Sequence, residues 1–393
     1  MSYKNKTFNT APVLAIILLS AVSFFAFGCN ENGTSDNFFG KKTSDTQKTT
    51  VKSWKLVGDT DFLFKPAQSP ILFFNYLIPY ASFIDMKPGV DNKVSVIYFD
   101  GFIWKEVKTR GASFTPASLH SFNIYKNTLY IAYTESTEEN KISVIGFIGN
   151  EWQYIGKQAF SHKKASGLDF EISNYSNDKF YVAYSNGDDF DRPYVWRRYG
   201  EDWKQLGAGA ASSSSVKNIK LEIYNDTPYI AYIDINAAKR VSVLKYNGAS
   251  DAFEALGSLT FTTPGADYLD FKFIDGTAYI AFSDAMNNSK ARVMKYNGTS
   301  WESIDSAGVS GGPASCCALC DYNGTLYIAF RDFTKEGRAT VMKYENKSWA
   351  LVGLQAFTNS DIKDINLKIC QDVPYIAFID KSDSDKLVVM KYE

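Results

Sequence analysis

The chain has 393 residues, with 42 Lys+Arg against 43 Asp+Glu and a formal net charge of -1. That balance excludes the basic excess of a nucleic-acid binder, and no nucleic-acid partner is expected. Hydrophobic residues at 45% exclude wholesale disorder, and 29 Phe, 25 Tyr and 7 Trp favour strands over helices.

Lys4 and Lys6 precede an apolar run from Ala11 to Phe27, which ends at Gly28-Cys29. A run of about 17 residues is marginal for a membrane span and long for a secretory h-region. Ala26-Phe27-Gly28-Cys29 resembles the lipobox of secreted bacterial lipoproteins. The chemistry needs a small residue before the cut and a thiol after it, and Gly28 and Cys29 supply both. The match departs from the usual pattern at Ala26, where Leu is commoner, and at Phe27, where a small residue is commoner. The resemblance implies a lipoprotein signal peptide over 1–28 and a diacyl group, palmitate or similar, on Cys29. It also implies export and attachment to the cell membrane or outer membrane, facing the periplasm or exterior. An uncleaved anchor helix and a plain secretory signal are the alternatives. Residues 29–50 are polar and nearly free of aliphatic side chains, as a flexible tether would be.

The remainder repeats. Trp54, Trp104, Trp152, Trp203, Trp301 and Trp349 recur, with Phe253 in the place of a seventh, and several copies end in Val-Gly, Ile-Gly or Leu-Gly. A second motif keeps the same beat: Tyr130-Ile-Ala-Tyr133, Tyr181-Val-Ala-Tyr184, Tyr229-Ile-Ala-Tyr232, Tyr279-Ile-Ala-Phe282, Tyr327-Ile-Ala-Phe330 and Tyr375-Ile-Ala-Phe378, with Pro79 to Asp85 as the first copy. A third is Val243-Leu-Lys-Tyr-Asn-Gly248 and its relatives. Each unit reads as four strands: an alternating strand a, the Tyr-Ile-Ala-Phe strand b, a Val-Met-Lys-Tyr strand c and the Trp strand d. Asp275-Gly276 and Asn323-Gly324 mark a–b turns, and Asn247-Gly248 and Asn297-Gly298 mark c–d turns. Four short strands per unit is the grammar of a propeller blade. The chain ends at Val388–Glu393, a strand c lacking its d, and the repeats begin at Ser53–Gly58, a strand d lacking its a, b and c. The expected fold is therefore all-β: residues 51–393 form a seven-bladed β-propeller of four-stranded blades, closed by the N-terminal strand.

Residues 51–393 resemble the seven-bladed propellers of exported bacterial lipoproteins, through the repeated Tyr-Ile-Ala-Phe motif and Lys295-Tyr-Asn-Gly-Thr-Ser-Trp301. The resemblance implies fold and location and little about activity. The Ser-x-Asp of the sialidase Asp-box is missing ahead of Trp301. No Trp-Asp dipeptide closes the blades, and the double glycine of kelch repeats does not recur.

The b–c and d–a loops share one face of a propeller and vary in sequence here, whereas the a–b and c–d turns are short and uniform. Recognition is expected on the loop face. Asp85, Glu135, Asn186, Asp234, Asp284, Asp332 and Asp380 follow strand b in the seven units and are the candidate ligand contacts. Turn chemistry is the competing explanation, since Asp and Asn bond nearby backbone N–H groups. Asp188, Asp189 and Asp191, and Asp380, Asp383 and Asp385, lack calcium-loop spacing, and no metal is assigned. Charges on strand a, among them Asp169, Glu171, Lys220, Glu222, Asp270, Lys272, Asn366 and Lys368, are expected to pair between blades. Cys316 and Cys320 face away from Cys317 by strand alternation, so they do not make a metal site. A Cys320–Cys370 disulfide fits export but requires a short Cα separation. His120 and His162 have no evident base partner, no nucleophile or phosphate-loop motif occurs, and neither a catalytic residue nor a cofactor is assigned. The primary reading is a lipid-anchored binding scaffold, held to the membrane by the lipid on Cys29, with a protein or glycan partner on the loop face. A carbohydrate-active hydrolase or lyase using paired carboxylates at the channel mouth is the alternative, and a purely structural surface protein is the third.

Overall fold

The computed structural model describes residues 51–58 and 66–393, except for positions 110, 163, 174, 176, 177 and 306. The expected signal peptide and tether, Cys29 included, lie outside the described residues. Residues 51–393 form seven four-stranded antiparallel sheets. Blades one to six occupy 67–106, 120–154, 165–205, 216–255, 266–303 and 314–351, each ordered a-b-c-d. Blade seven has strands a, b and c at Ile362–Cys370, Val373–Asp380 and Lys386–Tyr392, and its strand d is Trp54–Leu56. No α-helix occurs among the described residues, only three short 3-10 turns.

The N-terminal strand closes the ring as expected. Trp54 pairs with Tyr392 and Leu56 with Met390. Ser53 donates to the Glu393 carbonyl at 2.7 Å and Val57 donates to the Val389 carbonyl at 3.0 Å. Val57, just after this strand, is buried, while Leu56 is half exposed.

Strand b lies inside its blade, with neighbouring blades on both faces. The alanines Ala81, Ala132, Ala183, Ala231, Ala281, Ala329 and Ala377 are all completely buried. A larger side chain there would overpack the contact between blades.

The Trp and Val-Gly motifs form one clasp. The indole N–H of Trp104 donates to the Val57 carbonyl at 2.7 Å, Trp203 to Ile155 at 3.0 Å, Trp301 to Leu256 at 2.8 Å and Trp54 to Val352 at 2.8 Å. Each acceptor directly follows strand d of the preceding blade. The next residue is Gly58, Gly156, Gly257 or Gly353, with φ near +80°, lying under the arriving ring. A Cβ on Gly353 would stand 3.2 Å from Trp54 and 2.6 Å from Tyr392. Four residues beyond three of these glycines, a Phe stacks on the same Trp: Phe160 on Trp203, Phe261 on Trp301 and Phe357 on Trp54, at centroid distances of 4.3, 4.7 and 4.1 Å. The indole is thus bonded at its edge and covered on its face by the preceding blade.

Candidate functional site: the axial channel and the loop face

Strand a is the inner edge of each blade, so alternate N–H groups face the axis without a ladder partner. Neighbouring side chains supply the acceptors. Asn366 Oδ1 accepts from Leu72 N at 3.0 Å, Asp169 Oδ2 from Leu221 N at 2.9 Å and Asp270 Oδ2 from Leu319 N at 2.8 Å. Each acceptor sits in the preceding blade. Asp169 also accepts from Ser121 Oγ at 3.1 Å, so one carboxylate ties three blades together. A bulge in strand a helps set this geometry. Ser69, Asn218, Tyr268, Cys316 and Asp364 take φ between 50 and 54° at equivalent places in five blades.

The channel charges pair across blades. Lys220 lies 3.5 Å from Asp270 and Lys217 lies 2.9 Å from Asp267. Lys272 bonds Glu222, and Glu171 accepts from Asn123 Nδ2 at 3.0 Å. Burial, followed by the neighbouring Glu222 carboxylate, pushes the Glu171 carboxyl up to about 8, against the pull of Lys272. Burial also raises Glu222, with Lys272 opposing. Burial disfavours the Lys272 charge, but Glu222, Glu171 and Asp270 outweigh it and hold its pKa well above the usual value. This cluster sets two raised carboxyls around one lysine.

The seven residues expected to follow strand b, Asp85, Glu135, Asn186, Asp234, Asp284, Asp332 and Asp380, are its last residues, at the loop-face ends of their sheets, and all but Asp380 are buried. Asp85 accepts from Lys87 N at 3.0 Å, Asn186 from Asp188 N at 3.1 Å and Asp234 from Ala237 N at 3.0 Å. Glu135 accepts from Tyr133 and Gln158 at 2.8 and 2.6 Å. Asp284 accepts from Met286 N and Thr263 at 3.1 and 2.6 Å and pairs with Arg292 at 2.7 Å. Asp332 accepts from Thr334 N and Gln355, and Asp380 from Ser360 and Ser382. These groups bind their own loops, as the turn chemistry of Asp and Asn dictates.

The d–a loops are pinned as well. Ser113, Ser161, Thr262, Ser310 and Thr358 each accept the N–H of a residue at the loop-face end of strand c, at 2.9–3.0 Å. The sequence reading missed these hydroxyls, although a Ser or Thr at similar offsets after the Trp strand was visible. On this fixed platform Phe190, Ile235, Met286 and Phe333 stand exposed on the b–c turns of blades three to six.

Other expected features have plain locations. His120 Nε2 meets Ser82 Oγ at 3.0 Å, and burial lowers its pKa to about 4. His162 packs edge-on against Trp196. Cys316, Cys317, Cys320 and Cys370 are free thiols, so the Cys320–Cys370 disulfide does not form. Cys317 packs in the core with Leu319, while burial raises the pKa of each thiol. Among the described residues no cluster of three or more His, Cys, Asp or Glu could hold a metal. A groove of about 570 Å³ opens between blades four and five, lined by Tyr224, Tyr229, Phe273, Tyr279 and Tyr296 without a carboxylate. One of about 230 Å³ in blade seven carries Asp380 and Asp383 beside Lys386.

The strand order and ring closure define a seven-bladed β-propeller. No family model matches the chain, and no curated protein matches it by sequence. Among solved structures it is similar to Trypanosoma rangeli sialidase, at 12% identity and a TM-score of 0.48. It is also similar to that sialidase in complex with the inhibitor DANA, at 11% identity and a TM-score of 0.47. Both likenesses cover 84% of this chain and 55% of the other, so the chain spans about half the length of those structures.

Proposed function

We propose that the protein is an exported lipoprotein of a bacterial envelope, acylated on Cys29, whose propeller holds a protein partner on its loop face. The observation that carries this reading is the set of exposed apolar side chains Phe190, Ile235, Met286 and Phe333 on four successive b–c turns. Their turns are already fixed by the buried residues Asn186, Asp234, Asp284 and Asp332. Binding there costs little ordering entropy, and large apolar side chains on a rigid surface are the usual energetic centre of an interface. In this role the seven residues that end strand b shape the surface, and Asp380, the least buried of them, is best placed to touch the partner.

Two measurements test the parts separately. Metabolic labelling with a palmitate analogue should mark the wild-type chain and not Cys29→Ser; equal labelling would remove the lipid anchor. A photo-crosslinker at Met286 should trap a partner that the combined Phe190→Ser, Ile235→Ser and Phe333→Ser variant loses. Undiminished crosslinking would remove the loop-face site, and a crosslinked glycan would change the partner class.

The enzymatic alternative draws on Glu171 and Glu222, since a carboxyl raised to about 8 has the character of a general acid. Hydrolysis of an envelope polysaccharide that Glu171→Gln abolishes would favour it over the scaffold.

A further inference from the structure

We propose that the turn face of blade one is a membrane-docking surface, which seats its apolar turn tips in the interfacial layer of a lipid bilayer. The argument begins with a break in the repeat. In blades two, four, five, six and seven the a–b turn residues are Lys, Asn, Asp, Gln and Gly. In blades two to six the c–d turns are equally polar. Blade three places one exposed aromatic, Tyr175, in its a–b turn, but blade one alone has apolar pairs in both turns, Tyr76-Leu77 between a and b and Phe102-Ile103 between c and d.

These side chains stand in solvent, the Tyr76 phenol accepting only from Asn127 Nδ2 at 3.4 Å on the next blade's turn. Tyr76 is 79% exposed, Leu77 57% and Phe102 84%. Tyr76 occupies a left-handed position, φ 54°, where blades five and six have Asp275 and Asn323. A bulky residue is disfavoured there relative to Asn or Gly, so local folding does not explain its presence. Both turns project from one blade on one face. Exposed Tyr, Phe, Leu and Ile at loop tips are the side chains that favour the water–lipid interface.

The position of the chain's entry selects a bilayer over other occupants. Ser53 lies at the turn-face end of blade seven, against Glu393, and blade seven adjoins blade one. Fifty residues precede Val51, and their apolar run ends at Cys29. The chain therefore enters the propeller on the face and at the sector where the apolar tips stand. Nearby cations are paired, Lys105 with Asp100 at 2.6 Å, Lys126 with Asp178 at 2.6 Å, and Lys391 and Lys55 with Glu393 at 2.7 and 3.8 Å, and the whole chain carries -1. Attachment is thus by apolar insertion, not by attraction to anionic lipid. It supplies the second contact that a lipid-tethered protein needs for a fixed orientation, and it points the loop face away from the membrane.

The test uses residues 51–393, which hold the whole closed ring, and vesicles of neutral phosphatidylcholine. The fragment should co-sediment with vesicles equally at low and high salt. Combined Tyr76→Ser, Leu77→Ser and Phe102→Ser should lower the partition coefficient at least about tenfold, since one buried large apolar side chain is worth that much. Its melting temperature should not fall, because the altered side chains are exposed. Phe190→Ser with Met286→Ser, on the opposite face, should partition as wild type. A wild-type fragment that stays in solution overturns the proposal. So does a triple variant that partitions equally, binding that requires anionic lipid, or a turn-face dimer in sedimentation that the triple variant abolishes. The fragment lacks Cys29, so failure here leaves the acylation reading intact, and absence of palmitate labelling leaves this one intact.

Discussion

The carboxylate of Asp251 accepts the backbone N–H of Gly207 at 2.9 Å and the phenol of Tyr246 at 2.6 Å. At this junction, between blades three and four, Phe253 replaces Trp and no indole reaches back to Leu206. Space above Gly207 is open, the nearest atom to a Cβ being the Asp251 carbonyl at 3.5 Å. The bond to Asp251 thus takes over part of the role of the indole clasp.

The seven junctions are therefore unequal: four carry the indole bond, Phe253 replaces Trp at one, and Trp152 and Trp349 meet Val107-Lys108 and Ile304-Asp305 without that bond. Trp301→Ala removes a buried ring, its bond to Leu256 and its stacking on Phe261, and should cost about 3–5 kcal/mol. Phe253→Ala should cost clearly less, because that ring is only partly buried and makes no such bond. Urea titrations of the two variants measure the order, and equal losses would show that the clasp adds nothing to simple burial.

Glycine replacement reads the same contact from the other side. Gly207 and Gly353 have φ of +80° and +77°, so alanine costs about 1–2 kcal/mol of backbone strain at either. At Gly353 the new methyl must also displace Tyr392 or Trp54, which would lie 2.6 and 3.2 Å away. Gly353→Ala should therefore lower the melting temperature well beyond Gly207→Ala. Matching drops would mean that the ring relaxes freely.

The closing strand is a third point of measurement. Deleting residues 51–58 removes Trp54 from its stack on Phe357, uncovers the core around Val57 and leaves strand c of blade seven as an open edge. One large side chain is worth about 1.5–3 kcal/mol, and a domain's whole stability is about 5–15 kcal/mol. The 59–393 fragment should melt far below 51–393 and aggregate through its new edge. Superimposable melting curves would contradict the contribution of the closure.

Much of this was legible because the chain states each rule several times. The Trp and Tyr-Ile-Ala-Phe repeats marked strands d and b, and the complementary ends gave closure of the last blade by the N-terminal strand. The clasp was half legible: Val-Gly, Ile-Gly or Leu-Gly was visible at the end of several Trp strands, but a contact between one blade's Gly and the next blade's Trp has no local signature. The bulge was illegible, because Ser69, Asn218, Tyr268, Cys316 and Asp364 share a backbone angle and no chemistry. The residues at the end of strand b stood out as a ring, yet sequence could not decide between ligand contact and turn cap. Burial decides the contacts they make, since Asp284 and Asp332 have no exposed surface. Tyr76-Leu77 was readable as an apolar pair in a turn, but only its exposure separates it from a core residue.

His120 makes acid sensitivity a test of the interior. Its ring is buried, with Nε2 on Ser82 and no partner for Nδ1, and its pKa falls from 6.5 to about 4. Between these values the unfolded chain takes up a proton that the folded protein refuses. Stability from this site is complete above about 6.5 and is lost as pH falls towards 4, by up to about 3 kcal/mol. His120→Gln keeps a donor near Ser82 and cannot titrate. Its melting temperature should vary less between pH 6.5 and 4 than that of the wild type. An unchanged acid limb would place the sensitivity elsewhere.

Glu171 gives the opposite slope. Burial and the Glu222 carboxylate raise it to about 8 in the folded protein, against an ordinary value of 4.5. Across that window the folded state keeps a proton that the unfolded state has released. Stability therefore declines as pH rises from about 4.5 to 8, and the penalty is complete above 8. Glu171→Gln preserves an acceptor for Asn123 Nδ2 and removes the charge. Above pH 8 this variant should melt higher than wild type, while near pH 5 the two should coincide. Glu222→Gln should behave differently: it relieves Glu171 but strips Lys272 of its direct partner, leaving a partly buried cation less compensated. That variant should be destabilised at every pH. If Glu171→Gln instead melts below wild type above pH 8, the Glu171 charge is a stabilising member of the channel network, and the raised carboxyl inferred from its burial is wrong.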